Sequence, residues 1–120
     1  MNITILVVED DDTSYMYFEE VLKRKGLRPV RAENGEEAVQ LVQTNPEIAM
    51  VLMDIKMPSM NGHDATRQIK RIRPDLPVLI QTAYASIMDR QKAFNAGCDD
   101  FITKPVNKDL LLEKIAKFLF

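Results

Sequence analysis

The sequence holds a single cysteine, Cys98, which excludes an internal disulfide and suits a reducing compartment. No histidine or second cysteine accompanies it, so a core filler is the better reading than a reactive thiol. Long hydrophobic runs are also missing. The longest, residues 48–53, falls far short of the roughly 20 residues of a membrane-spanning helix. No signal peptide is visible: Met1-Asn2-Ile3-Thr4 lacks a basic start, and "ILVV" is stopped by Glu9, Asp10, Asp11 and Asp12. Neither sign of charge dominates, and a formal net charge of −2 gives no electrostatic case for nucleic acid or a membrane surface. There is no internal repeat, low-complexity segment or linker. The simplest placement is cytoplasmic.

What is present is a globular composition, 46% hydrophobic and 28% charged over 120 residues, enough for one domain spanning 1–120 with its own core. Short apolar runs alternate with helical patterns. "ITILVV", "AMVLM" (residues 49–53) and "VLIQT" are apolar enough to be strands covered on both faces. "RPVRA" and "DFIT" are shorter and more polar, which suits edge strands. Helical stripes are formed by Phe18, Val21 and Leu22; by Ala38, Leu41 and Val42; by Ala65, Ile69 and Ile72; and by Leu111, Ile115, Phe118 and Leu119. Asn34, Ser86 and Asn107 stand where helix N-caps belong, with Val106 and Leu111 placed as a hydrophobic staple for the last helix. Gly26 and Gly97 stand where helices should turn out. The pattern is (βα)₅: an α/β, doubly wound five-stranded parallel sheet with helices on both faces, flavodoxin-like, strand order 2-1-3-4-5.

Ligands of such sheets lie beyond the carboxyl ends of the strands. After the first strand come Glu9, Asp10 and Asp11; after the third, Asp54; after the fourth, Thr82; after the fifth, Lys104 and Pro105. Parallel strands bring these to one edge. The stretch "AMVLMDIKMPSMNG" drives an apolar strand into a carboxylate, which is costly without a compensating cation. Clustered carboxylates resist joint ionisation, and a hard divalent cation, Mg²⁺ or Mn²⁺, relieves that. Asp10 and Asp54 are the candidate direct ligands, with Glu9 acting through water and the Lys56 backbone carbonyl as a third protein ligand. A rigidly held carboxylate such as Asp54 can attack phosphorus and form an acyl phosphate, with Lys104 and Thr82 serving the phosphoryl oxygens.

Four motifs, "VVEDDD", "LMDIKMPSMNG", "QTAYA" and "DDFITKPV", occur in order along the whole chain. Together they resemble the receiver domain of two-component response regulators, the family of the bacterial chemotaxis regulator. That regulator is itself an established example of the 2-1-3-4-5 order, so agreement on strand order is no independent prediction. The resemblance implies that Asp54 takes a phosphoryl group from a histidine of a histidine kinase or histidine phosphotransfer domain. It implies that Glu9 and Asp10 are the acidic pair around Mg²⁺, and that Lys104 contacts the phosphoryl group. The Lys104–Pro105 bond is cis in the family. Thr82 and Phe101 correspond to the switch pair, which alters the surface of the fourth helix, fifth strand and fifth helix for partner binding. Phe101 lacks the hydroxyl carried by the tyrosine of many relatives. Lys56 and Tyr84 flank the approach to the phosphorus, and neither orients water well, which implies slow self-dephosphorylation.

Each residue also has a plainer reading. Asp11 or Asp12 reads better as a helix cap than as a ligand. Met53, Met57 and Met60 read as packing residues. His63 reads as an exposed first-turn residue, and Tyr15, Tyr17 and Phe18 as packing residues of the first helix. Two other uses of the acidic edge compete. A haloacid-dehalogenase-type phosphatase needs an acid-base two positions after its aspartate, where this chain has Lys56. A nucleotide or flavin module needs a phosphate loop after the first strand, where "EDDDTS" presents like charge. A degenerate receiver acting only as a binding surface is the remaining alternative. The chain reads as a free-standing receiver, a phosphorelay intermediate, or one domain of a larger regulator or hybrid histidine kinase.

Overall fold

Alternating strands and helices fill the chain from end to end in the computed structural model, which describes residues 3–57, 60–83 and 86–120. The order is β1 (Ile3–Val8), α1 (Asp12–Arg24), β2 (Leu27–Ala32), α2 (Gly35–Thr44), β3 (Ile48–Asp54), α3 (Gly62–Ile72), β4 (Val78–Thr82), α4 (Ile87–Asn95), β5 (Asp100–Thr103) and α5 (Lys108–Leu119). The strands pair in parallel in the order β2-β1-β3-β4-β5, so the two polar runs are indeed the edges. β3 is longer than the apolar run by a residue at each end. Ile48 is buried against the helices, and Asp54 pairs in register with Gln81 of β4, which carries the ladder through the carboxylate.

Period-two alternation along the central strands sorts their side chains onto two faces. Leu6, Val8, Val51, Met53, Val78 and Ile80 pack with Ala38, Val39 and Val42 of α2, Ala65 and Ile69 of α3, and Ala93 of α4. Ile5, Val7, Met50, Leu52 and Leu79 pack on the other face with Phe18, Val21 and Leu22 of α1 and with Leu111 and Ile115 of α5. Each fully buried large apolar side chain contributes roughly 1.5–3 kcal/mol, so both faces hold the sheet. Three expectations need trimming. Ile72 lies at the surface end of its stripe at 36% exposure. Phe118 and Leu119 are half-buried in the last turn, and Tyr17 is partly exposed, with its hydroxyl donating to the Val106 carbonyl at 2.8 Å.

The helix starts follow from their caps. Asp11, Asn34, Asn61, Ser86 and Asn107 each accept a backbone N–H from the first turn of the helix they precede. Gly26 and Gly97 take positive φ, 74° and 101°, where α1 and α4 have ended. At the lower edge, Lys70 of α3 reaches Asp99 at 2.6 Å and the Leu76 carbonyl at 2.7 Å, tying α3 to the start of β5.

Beside that tie, Cys98 is buried, and its burial pushes the thiol up to about 12, with Asp99 and Asp100 adding repulsion. An unfolded thiol ionises near 9, so the folded state's advantage is intact below about pH 9 and erodes as pH rises toward 12. Iodoacetamide labelling at about pH 8 should therefore run far slower on the native protein than on the urea-unfolded chain. Equal rates would mean that the thiol is open to solvent.

Candidate functional site

The C-terminal ends of β1, β3, β4 and β5 gather Glu9, Asp10, Asp54, Thr82 and Lys104 on one rim. Backbone bonds continue the ladders just past the strands: Glu9 N–H donates to the Ala32 carbonyl at 2.9 Å, and Lys104 N–H donates to the Thr82 carbonyl at 2.7 Å. These bonds place the functional side chains before any side-chain contact is made. Glu9 and Asp54 are buried, 1% and 4% exposed, while Asp10 faces solvent. One carboxylate oxygen from each of the three lies within 4.8 Å of the others. The Lys104 ammonium donates to Asp54 Oδ1 at 3.0 Å and stands 3.8 Å from Glu9 Oε1.

One ammonium does not neutralise three carboxylates, and the electrostatics record the deficit. Burial, and then repulsion by Asp54, lifts the Glu9 carboxyl to about 7. The Asp11 N–H donates to Glu9 Oε2 at 3.3 Å and partly opposes that rise. Glu9 Oε1 is buried without a hydrogen-bond partner among the described residues. Three hard oxygen donors, one of them an orphaned buried atom, fit a divalent cation well and fit few other groups. Asp11 does not join them. It is the N-cap of α1, and the bond from Ser14 holds its carboxyl below the usual range.

Thr82 is buried at the end of β4. Phe101 of β5 is half-buried, edge-to-face with Phe94 of α4 at 5.9 Å and beneath the Arg90 guanidinium at 5.0 Å. The Lys104–Pro105 peptide bond is cis. Lys56 is exposed in the loop after β3. It lines a cleft of about 460 Å³ with Asp10, Ile55, Met57, Asn61 and His63. Tyr84 lies outside the described residues. His63 departs from its expected exposure: the ring is half-buried with Nδ1 sealed from solvent, and burial lowers its pKa.

Two residues at this edge escaped the sequence reading. Gln81 is 1% exposed, and neither its amide nitrogen nor its oxygen has a hydrogen-bond partner among the described residues. It adjoins a cavity of about 320 Å³ with Lys104, Tyr17 and Phe18. Arg31 of β2 donates from Nε to the Glu9 carbonyl at 3.1 Å. A glutamine on a mostly apolar strand was the available signal for Gln81, whereas Arg31 lies on a strand already polar, where nothing set it apart.

A parallel five-stranded sheet with an acidic triad and a lysine on its carboxyl rim defines a doubly wound α/β domain with its site at the strand ends. Residues 5–116 match the family described as the response regulator receiver domain, and the chain belongs to that family. It is 41% identical over 116 residues to a cyclic di-GMP phosphodiesterase of Thermotoga maritima, covering 97% of this chain and 31% of that protein. Among curated relatives of this kind the chain spans from 24% to 51% of their length. A response regulator from Chloroflexus aurantiacus superposes with a TM-score of 0.93 at 30% identity, covering 99% of this chain and 98% of that one. The receiver domain of the sensor histidine kinase PA1611 from Pseudomonas aeruginosa, described with a magnesium ion coordinated in its active-site cleft, superposes with a TM-score of 0.91 at 28% identity, covering 98% of each chain.

Proposed function

We propose that residues 1–120 form one receiver domain that accepts a phosphoryl group on Asp54 from a phosphohistidine of a histidine kinase or histidine phosphotransfer domain, and does so with Mg²⁺ or Mn²⁺. The observation that carries this is the buried Asp54 carboxylate, hydrogen-bonded to Lys104 and within 4.8 Å of two further carboxylates. Asp10 and Asp54 would hold the cation directly, with Glu9 behind a water and the Lys56 carbonyl completing the protein's share. The cation supplies charge neutralisation to the transferring oxygens when bound.

The chain's own residues do the rest. An Asp54 oxygen lone pair forms the O–P bond as the P–N bond of the donor breaks, its electron pair returning to the imidazole nitrogen. β3 fixes Asp54 for in-line approach, and that positioning is most of the catalysis such a transfer requires. Lys104 follows the charge onto a phosphoryl oxygen, and Thr82 offers its hydroxyl to another. The space left by the Thr82 side chain admits the Phe101 ring, and the α4-β5-α5 surface changes with it. Coupling of about 1–3 kcal/mol is sufficient to bias a partner's binding. The whole chain acts as a phosphoryl acceptor that assists its own modification and loses the group slowly.

Incubation with Mg²⁺ and acetyl phosphate, followed by intact-mass measurement, tests the reading. The parent should gain one phosphoryl group, and Asp54→Asn should gain none. A parent that stays unmodified would leave a binding surface without the chemistry, and an adduct on Asp54→Asn would move the acceptor elsewhere.

A further inference from the structure

Arg31 projects from an edge strand, opposite Val7 in register, yet its side chain is only 23% exposed. Its guanidinium meets four groups. Nε donates to the Glu9 carbonyl at 3.1 Å, and Nη1 pairs with the Asp12 carboxylate at 2.9 Å. Nη2 is buried, 3.7 Å from the Glu33 carboxylate and without a hydrogen bond among the described residues. The plane lies over the Tyr15 ring at 4.8 Å. Only a planar fork can serve two acceptors in different directions while stacked on a ring.

The two anchored groups bracket Asp10. The Glu9 carbonyl belongs to the rigid peptide unit that carries the Asp10 amide, so a bond to that oxygen limits where the Asp10 side chain can start from. Asp12, the first residue of α1, is the anchor on the other side. Asp10 is the exposed member of the triad, the one that packing does least to hold.

We propose that Arg31 is a positioning residue for the divalent cation: by gripping the chain on both sides of Asp10 it presets the acidic loop for metal. This inference rests on the metal reading given above. It also carries a sign that separates it from a charge effect. As a mere cation near the rim, Arg31 repels a divalent ion, and its removal would tighten metal binding. As a positioning residue, its removal loosens binding.

The test is an Mg²⁺ titration of the full chain, followed by the backbone amide signals of Glu9 to Asp12 in ¹H–¹⁵N NMR, with thermal unfolding of each protein alongside. Arg31→Lys keeps the charge and loses the fork; Arg31→Gln loses both. Each should bind Mg²⁺ about tenfold more weakly, as is usual when a group that orients a metal ligand is removed. Tyr15→Leu changes no charge and removes the stacking platform, so it should weaken binding about threefold and serves if the Arg31 variants fold poorly. Unchanged affinity in Arg31→Lys with tighter binding in Arg31→Gln overturns the inference, as does a lowered Tm with unaltered affinity. A parent that binds no Mg²⁺ overturns the metal reading and this inference with it.

Discussion

Gly62→Ala is expected to cost the folded state about 3 kcal/mol or more, read as a lowered urea midpoint. A Cβ at residue 62 would stand 2.2 Å from the Asp54 carbonyl oxygen and 2.8 Å from the Ile55 Cα. Both are backbone atoms at the end of a buried strand, and neither can swing aside as a flexible side chain could. The contact is close because the helix start is pinned there: Gly62 N–H donates to the Ile55 carbonyl at 3.0 Å, and the Thr66 hydroxyl donates to the Gly62 carbonyl at 2.7 Å. Relief must push α3 outward or bend the end of β3, which carries Asp54. The variant should therefore also bind Mg²⁺ more weakly. A midpoint corresponding to a loss under about 1 kcal/mol would show that the α3 start yields freely.

Lys104→Met is expected to slow phosphorylation of Asp54 by acetyl phosphate about a hundredfold or more, with Mg²⁺ affinity unchanged or increased. The two effects would part because Lys104 would share its carboxylates with a bound metal. Its ammonium sits 3.0 Å from Asp54 and 3.8 Å from Glu9, so it competes with a divalent ion before transfer and helps only when phosphoryl oxygens arrive. Loss of one preorganised donor to a developing charge typically costs about 10²–10³ in rate. Rates of adduct formation at saturating Mg²⁺, set beside a metal titration, read both quantities. Losses of equal size in the two would mean that Lys104 holds the shape of the rim and does no more.

The rim was legible because period-two alternation and strand-end chemistry are local signals. "AMVLMD" ends a buried run on a carboxylate whatever surrounds it, and parallel pairing then brings Asp54 to Glu9 and Asp10. Met53 could be assigned to the core from its apolar run, and Cys98 from the lack of any partner for a reactive thiol; both are buried. Arg31 and Gly62 were not legible, since their meaning lies in contacts with Glu9 and Asp54 that no spacing encodes. His63 is a related case: a first-turn helical position does not by itself say whether the ring stands in solvent or is half-buried. The boundaries of β3 differ because backbone pairing runs on to Asp54 opposite Gln81 of β4 and back to Ile48 opposite Thr4 of β1.

Of the nine residues of α4, Ala93 alone is buried, while Ile87, Met88 and Phe94 leave much of their surface to water. Little apolar area would be given up if this helix slid or tilted, whereas α1 and α2 each anchor themselves through several core side chains. The Phe101 ring, touched by Phe94 and Arg90, thus lies against the helix with the fewest buried side chains among the described helices, so a turn of that one ring would meet little resistance from the core.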